Sequence, residues 1–102
     1  RVNVYTYGIN KQADVMAKTG QSYYAVEDYE NAVYFLHKAR DLDPEITSVD
    51  LVLAAVYYKM KEFSKSKYYL MRAAERDVNL INVFLENNPD ALDVAEAVRK
   101  LI

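Results

Sequence analysis

The chain has 102 residues, of which 52% are hydrophobic and 27% are charged, and this composition is typical of one globular domain. Two Gly and two Pro are too few for the many turns of a small all-β domain, and the absence of Cys excludes disulfides, thiolate nucleophiles and Cys-based zinc sites. A single His provides no His pair for a metal ion, and the net charge of −2 gives no electrostatic support for binding nucleic acid or anionic lipid.

The N-terminal segment, residues 1–12, leaves three interpretations open. It carries apolar residues at Val2, Val4, Tyr5, Tyr7 and Ile9. The segment is the end of an earlier repeat, an extended arm, or an upstream extension of the first helix. Because the sequence begins with Arg1, we expect a processed form or a part of a longer chain, so the compartment stays open between cytoplasm and periplasm. No run of about 18 apolar residues occurs, which predicts no membrane insertion.

A period of 34 residues relates the next two segments, 13–46 and 47–80, without a gap. The matched pairs are Val15 and Val49, Tyr23-Tyr24 and Tyr57-Tyr58, Tyr29 and Phe63, Tyr34 and Tyr68, Leu36 and Leu70, Ala39 and Ala73, and Asp43 and Asp77. Repetition at a fixed period of this length is typical of helical repeat proteins. The sequence therefore predicts two repeats within a single domain of residues 1–102.

Each repeat is predicted to be a helical hairpin, because its apolar residues recur at three- and four-residue intervals. The predicted core faces of the first helices are Val15, Thr19, Ser22, Tyr23 and Val26 in one repeat, and Val49, Leu53, Val56, Tyr57 and Met60 in the other. The predicted core faces of the second helices are Tyr29, Ala32, Val33, Leu36 and Ala39, and Phe63, Ser66, Tyr69, Leu70 and Ala73. Glu27-Asp28 and Lys61-Glu62 are the predicted turns, and the small residues Gly20 and Ala54 allow the paired helices to approach closely.

Residues that end or begin helices mark the boundaries of the repeats. Pro44 ends the first repeat, because proline cannot continue a helix and biases Asp43 away from helical geometry. Thr47-Ser48 supplies capping groups for the next helix. Residues 81–102 do not continue the period, and Asn88 as N-cap with Pro89 as first helical residue predicts a final helix. Its predicted apolar face is Leu92, Ala95, Val98, Leu101 and Ile102, and the segment is expected to cap the second hairpin.

These residues resemble the tetratricopeptide repeat (TPR) family. The first repeat has Gly20, Tyr23, Ala32, Leu36, Ala39 and Pro44 at the positions of the family pattern, and the second has Leu53, Ala54, Tyr57, Ser66, Leu70 and Ala73. Thr19, Asp50 and Val78 depart from that pattern. The resemblance covers roughly two-thirds of the chain and implies an all-α fold of helical hairpins, stacked as an α-α superhelix.

The resemblance also implies a concave groove lined by the first helices. The matching residues are Asp14, Ala17, Gln21, Tyr24, Ser48, Leu51, Ala55, Tyr58 and Lys59. Tyr24 and Tyr58 are candidate anchors for a peptide, although a Tyr-Tyr pair at this place is also common in the family whatever the partner. Family members that bind a chaperone C-terminal carboxylate use Lys and Asn here, whereas this chain has Ala17, Gln21 and Val52, so that partner is not expected.

The predicted function is a protein-interaction scaffold that binds a peptide or a segment of a partner protein. The alternative is a structural spacer or self-association module within a longer array, which would form homo-oligomers. No enzyme, cofactor or metal site is expected, because His37 has no accompanying nucleophile or second ligand. Lys59, Lys61, Lys65 and Lys67 cluster near the second turn, either to orient a partner or as an ordinary solvated turn.

Overall fold

The protein is all-helical over the residues that the structure describes. This computed structural model describes the backbone of residues 4–102 and side chains from residue 8 onward, and it contains no strand in that range. The six helices are α1 (Val4–Ala25), α2 (Tyr29–Leu42), α3 (Thr47–Lys59), α4 (Phe63–Arg76), α5 (Leu80–Asn87) and α6 (Leu92–Leu101). The predicted all-α class and the predicted helical hairpins are confirmed.

The backbone packs as two compact units. One ends at Val49 and the other comprises Asp50–Ile102, so the boundary lies within the first turn of α3. The first unit contains the α1–α2 hairpin, and the second contains most of α3 together with α4, α5 and α6. The assignment of residues 1–102 to one domain with repeats at 13–46 and 47–80 stays a prediction.

Residues 4–12 are part of the first helix. The chain is helical from Val4 onward, which excludes an extended arm for residues 4–12, while Val2 lies outside the described residues. Gly8 does not interrupt this helix, since a single glycine costs only about 1 kcal/mol of helix propensity.

The α1–α2 hairpin closes over a stripe of small residues. Ala13, Ala17 and Gly20 are buried on α1, and Ala32 and Leu36 are buried on α2. A Cβ added at Gly20 would lie 2.7 Å from Cγ of Leu36 and 3.2 Å from the carbonyl oxygen of Ala32. A side chain at this position would force Leu36 to move, because normal carbon–carbon contacts are about 3.5–4.0 Å, so glycine permits the observed close approach of the two helices.

The predicted core face of α1 is wrong. Val15 is 53% exposed and Val26 is 72% exposed, whereas the buried stripe contains Ala13 and Gly20. At about 100° per residue, Val15 lies roughly 200° around the helix from Ala13, so it points away from the stripe that faces α2. The corresponding prediction for α3 is correct at Val49, Leu53, Val56 and Tyr57, all of which are buried.

The second helices follow their predicted core faces only in part. The small and branched positions Ala32, Leu36, Ala39, Ser66, Leu70 and Ala73 are buried. Tyr29 is half-buried and Phe63 is 44% exposed, so neither belongs to the core as predicted. Each is the first residue of its helix, where the side chain has few helical neighbours to cover it.

The two hairpins repeat the same turn 34 residues apart. Glu27 and Lys61 both have φ of 63°, in the left-handed region. After Glu27, the N–H of Asp28 donates to the Tyr23 carbonyl at 2.9 Å, and the matching bond in the second hairpin, from Glu62 to Tyr57, is also 2.9 Å. This is a Schellman motif that ends each first helix without glycine.

The aromatic contacts repeat with the same period. Tyr24–Tyr29 and Tyr58–Phe63 are tilted pairs, Tyr23–Phe35 and Tyr57–Tyr69 are stacked pairs, and Tyr34–Phe35 and Tyr68–Tyr69 are edge-to-face pairs. A cation lies over the outer ring in both hairpins, Lys38 over Tyr34 and Arg72 over Tyr68. Much of the tyrosine content thus serves to join the two helices of each hairpin.

Both second helices end at equivalent aspartates. Asp43 and Asp77 are extended C-caps, and each accepts a hydrogen bond at its carboxylate from the backbone N–H two residues later. This local side-chain turn explains why α4 ends at Arg76 although Val78 stands where the first repeat has Pro44.

The final helix begins later than predicted. Asn88 caps the end of α5 rather than the start of α6, and Pro89 lies in the turn between them. The residue that precedes α6 is Ala91, and the buried residues of the helix are Val94, Ala95 and Val98. Leu92, Leu101 and Ile102 are more than half exposed, so they do not form the predicted apolar face. Both α5 and α6 pack on α4, as expected for a cap over the second hairpin.

Candidate protein-interaction site

The predicted groove residues are divided between the two units. Asp14, Ala17, Gln21, Tyr24 and Ser48 lie in the first unit, and Leu51, Ala55, Tyr58 and Lys59 lie in the second. Asp14, Gln21, Ser48 and Lys59 are exposed, and Tyr24, Leu51 and Tyr58 are half-buried. Ala17 and Ala55 are 3% and 8% exposed, so they offer almost no contact area.

Tyr24 is the anchor candidate of the first unit. Its ring centroid lies 6.0 Å from that of Tyr29, with a tilt of 43°. Burial, followed by the neighbouring Tyr29, raises the pKa of the Tyr24 hydroxyl above its ordinary value. Tyr29 in turn donates a long hydrogen bond of 3.5 Å to the carboxylate of Glu27.

Tyr58 occupies the equivalent position in the second unit, where it has additional partners. Its ring is tilted against Phe63 at 5.5 Å and lies edge-to-face with Phe84 at 6.2 Å. Its hydroxyl donates to the backbone carbonyl of Asp90 at 3.0 Å. Burial raises the pKa of this hydroxyl, and Asp90 and Asp93 raise it further. Tyr58 therefore connects α3 to α5 and to the turn before α6.

A cleft surrounds Tyr58 and Phe63, within the second unit. Its main cavity has a volume of about 270 Å³ and is lined by Tyr58, Phe63, Lys67, Asp90, Ala91, Asp93 and Val94. An adjoining cavity of about 170 Å³ is lined by Tyr58, Lys59, Lys61, Phe63 and Asp90. We call the two cavities together the Tyr58–Phe63 cleft. Apolar side chains of α3, α4 and α6 line it, and charged groups lie around it.

The charged groups of the cleft are unequally distributed. Lys59 and Lys61 line the adjoining cavity together with Asp90, whereas the main cavity has one lysine, Lys67, and two aspartates, Asp90 and Asp93. Lys65, just outside, is bound to Glu62 at 3.1 Å and lies 5.3 Å from the Tyr57 ring centroid. The carboxylate of Glu62, with a smaller contribution from Tyr57, raises the pKa of Lys65.

A buried ion pair joins α3 to α4 in the same unit. Asp50 is fully buried, and its carboxylate lies 3.7 Å from Nε of Arg72, whose side chain is 29% exposed. Burial lowers the pKa of Arg72, but the Tyr68 hydroxyl and the Asp50 carboxylate more than offset this, so the net shift is upward. The sequence pattern showed Asp50 as a departure from the repeat and gave no indication of this pair.

The described residues show no cluster of three or more His, Cys, Asp or Glu side chains that could hold a metal ion. His37 is half-buried on α2. None of the helices in the described part of the chain is long and apolar enough to cross a membrane.

Comparisons with known proteins give no relative of this chain. No protein-family model, no curated protein and no solved structure matches it. The resemblance to the TPR family therefore stays a prediction, carried by the residues of the two repeats.

Sequence reasoning found Tyr58 and Lys59 but missed the other side of the cleft. Asp90, Asp93 and Val94 enter it because α6 packs on α4, and this long-range packing places the Asp90 carbonyl against Tyr58, 32 residues earlier in the chain. Phe63 was assigned to the core, although it is the first residue of α4 and its side chain is 44% exposed.

Proposed function

We propose that this protein is a non-enzymatic interaction module that binds a segment of a partner protein, and that the Tyr58–Phe63 cleft is the contact site of its second unit. The observation that carries the proposal is the cleft itself, in which a partly exposed aromatic pair is bordered by charged side chains. Aromatic residues surrounded by a polar rim are typical of protein-interaction surfaces.

The division of the cleft into two adjoining cavities suits the side chains of a peptide segment. The main cavity has a volume of about 270 Å³ and the adjoining one about 170 Å³, so neither by itself reaches the roughly 300–1,000 Å³ of typical ligand pockets. A cavity of that size accommodates one or two side chains of an extended or helical segment. Main-chain and rim contacts would then supply the remaining affinity.

We also propose that the chain is built from TPR-type repeats. The proposal is supported by the recurrence of helix ends, Schellman turns and aromatic contacts at a spacing of 34 residues. In that interpretation Tyr24 and Tyr58 are equivalent groove residues, and Tyr58 contacts the cap as well.

The test is a peptide-display selection on the whole chain, followed by titration of the selected peptides. Phe63→Ala removes an aromatic wall of the cleft that is already 44% exposed, so folding should survive. Tyr34→Ala is the matched control, because Tyr34 is 54% exposed and does not line the cleft. We expect Phe63→Ala to weaken binding at least tenfold, a typical loss of about 1.4 kcal/mol or more for an aromatic anchor. Equal affinities for wild type and Phe63→Ala would refute the site.

Self-association is a second candidate function, favoured by the exposed face of α1. Val15 on α1 and Val26, the first residue after the helix, are both more than half exposed. A second copy of the chain would bury this face. Sedimentation velocity over a wide range of concentrations tests it, with Val15→Ser/Val26→Ser as the variant and the exposed Val78→Ser as the control. A strict monomer at all concentrations would contradict self-association.

A further inference from the structure

We propose that the segment bound in the Tyr58–Phe63 cleft carries an apolar side chain next to acidic residues, and that the acidic residues face Lys59 and Lys61. This inference rests on the proposed function and specifies the chemistry of its partner. The apolar requirement follows from the aromatic pair and from Val94, which together line the main cavity.

The lysines of the cleft are available to a partner. Lys59, Lys61 and Lys67 form no ion pair with any side chain that the structure describes, in contrast to Lys65, which is bound to Glu62. Lys59 and Lys61 line the same cavity, together with Phe63. Two adjacent unpaired cations beside an apolar cavity are complementary to a segment with neighbouring carboxylates.

The first hairpin shows that these lysines are not needed to build the fold. Thirty-four residues earlier, the positions of Lys59, Lys61 and Lys67 are occupied by Ala25, Glu27 and Val33. The turn nevertheless has the same hydrogen bonds and the same left-handed residue. The aromatic pair is thus present in both hairpins, whereas the lysines occur only in the second.

The acidic residues of the cleft fix the orientation of the segment. Asp93 lies in the first turn of α6, where a carboxylate is stabilised by the helix dipole, and it borders the main cavity. Asp90 borders both cavities and Lys67 borders the main one, so the side chains lining the main cavity carry a formal charge of −1 and those lining the adjoining cavity a formal charge of +1. Carboxylates of the bound segment would therefore be favoured at the Lys59–Lys61 end. The apolar side chain would then occupy the main cavity, with the acidic residues extending toward the α3–α4 turn.

The experiment is a selection from a random, charge-balanced peptide library on the wild-type chain, with a parallel selection on Phe63→Ala. We expect peptides that require Phe63 and that carry Asp or Glu next to an apolar residue. Peptides that require Phe63 but are neutral or basic would overturn this inference and leave the proposed function in place. If no selected peptide requires Phe63, both this inference and the proposed function of the cleft are refuted.

Titration of one selected peptide then isolates the lysines. Lys59→Gln/Lys61→Gln should weaken binding by roughly three- to tenfold at low salt, as for two exposed ion pairs, and much less at high salt. Lys11→Gln/Lys100→Gln removes the same charge from two exposed lysines that do not line the cleft, and it should bind like wild type. Equal losses in the two double variants would overturn the assignment to Lys59 and Lys61.

Discussion

Gly20→Ala is a sharp test of how the first hairpin closes. Gly20 lies inside α1, and alanine is favoured over glycine in a helix by about 1 kcal/mol. Propensity alone therefore predicts a stabilised protein. The packing predicts the opposite, because the new Cβ would lie 2.7 Å from Cγ and 2.9 Å from Cδ2 of Leu36.

The magnitude follows from how far the neighbours must move. Leu36 is fully buried, and contact at about 3.5–4.0 Å requires it to shift by roughly 1 Å. The carbonyl oxygen of Ala32 lies 3.2 Å from the added Cβ, and it can move only a little because it is part of the α2 backbone. Overpacking of this kind costs about 1–3 kcal/mol, so Gly20→Ala should be neutral or destabilising by up to about 2 kcal/mol.

Gly8→Ala is the matched control, because it lies in the same helix and nothing lies within 4 Å of its added Cβ. Urea denaturation followed by far-UV circular dichroism should show Gly8→Ala stabilised by up to about 1 kcal/mol. The two variants should thus differ by about 1–3 kcal/mol. In a double-mutant cycle, Leu36→Ala should relieve the clash and give a less than additive loss. If Gly20→Ala stabilises as much as Gly8→Ala, the close approach of the two helices is refuted.

Three further predictions concern the turn, the buried ion pair and the tyrosines. Glu27→Gly should raise the free energy of unfolding by about 0.5–1 kcal/mol in urea denaturation, because glycine adopts φ of 63° without steric cost; a destabilised variant would contradict the left-handed assignment. Arg72→Met should lower the free energy of unfolding by up to about 3 kcal/mol, because it removes a cation that lies 3.7 Å from a fully buried carboxylate. An unchanged free energy of unfolding would argue against the pair. The free energy of unfolding should fall as pH rises above about 10, the ordinary tyrosine pKa. In that range Tyr58 is deprotonated in the unfolded chain but keeps its proton in the folded chain, because its pKa is raised there. Thermal denaturation across that range should show a shallower fall for Tyr58→Phe, and an unchanged slope would contradict the upward shift.

The hairpins could be predicted from the sequence because their signals are local. Helix positions follow from the spacing of apolar residues, and helix ends follow from the polar turn residues and from Asp43-Pro44. Each of these signals acts over only a few residues. The observed ends repeat at the predicted period, since α1 ends at Ala25 and α3 ends at Lys59. The second repeat keeps its helix end at Arg76 without proline, because Asp77 forms the same local turn as Asp43.

The burial of each helix face could not be predicted in this way. Val15 and Val49 occupy equivalent places in the pattern, yet one is 53% exposed and the other fully buried. Periodicity identifies an apolar face but does not establish what covers it. The same limit explains the start of α6, because Asn88-Pro89 suits both a helix start and the turn that follows a helix.

The sequence by itself determined an all-helical chain, two hairpins and their turns, because these depend on contacts between residues close together in the chain. Only the tertiary structure decided which tyrosine becomes part of a cleft. Tyr24 and Tyr58 have equivalent local partners, Tyr29 and Phe63 respectively. Of these two tyrosines, however, Tyr58 is the one that also contacts Phe84 of α5 and the Asp90 carbonyl before α6. Long-range packing of a cap that does not repeat therefore distinguishes two sites that the repeat pattern makes equivalent.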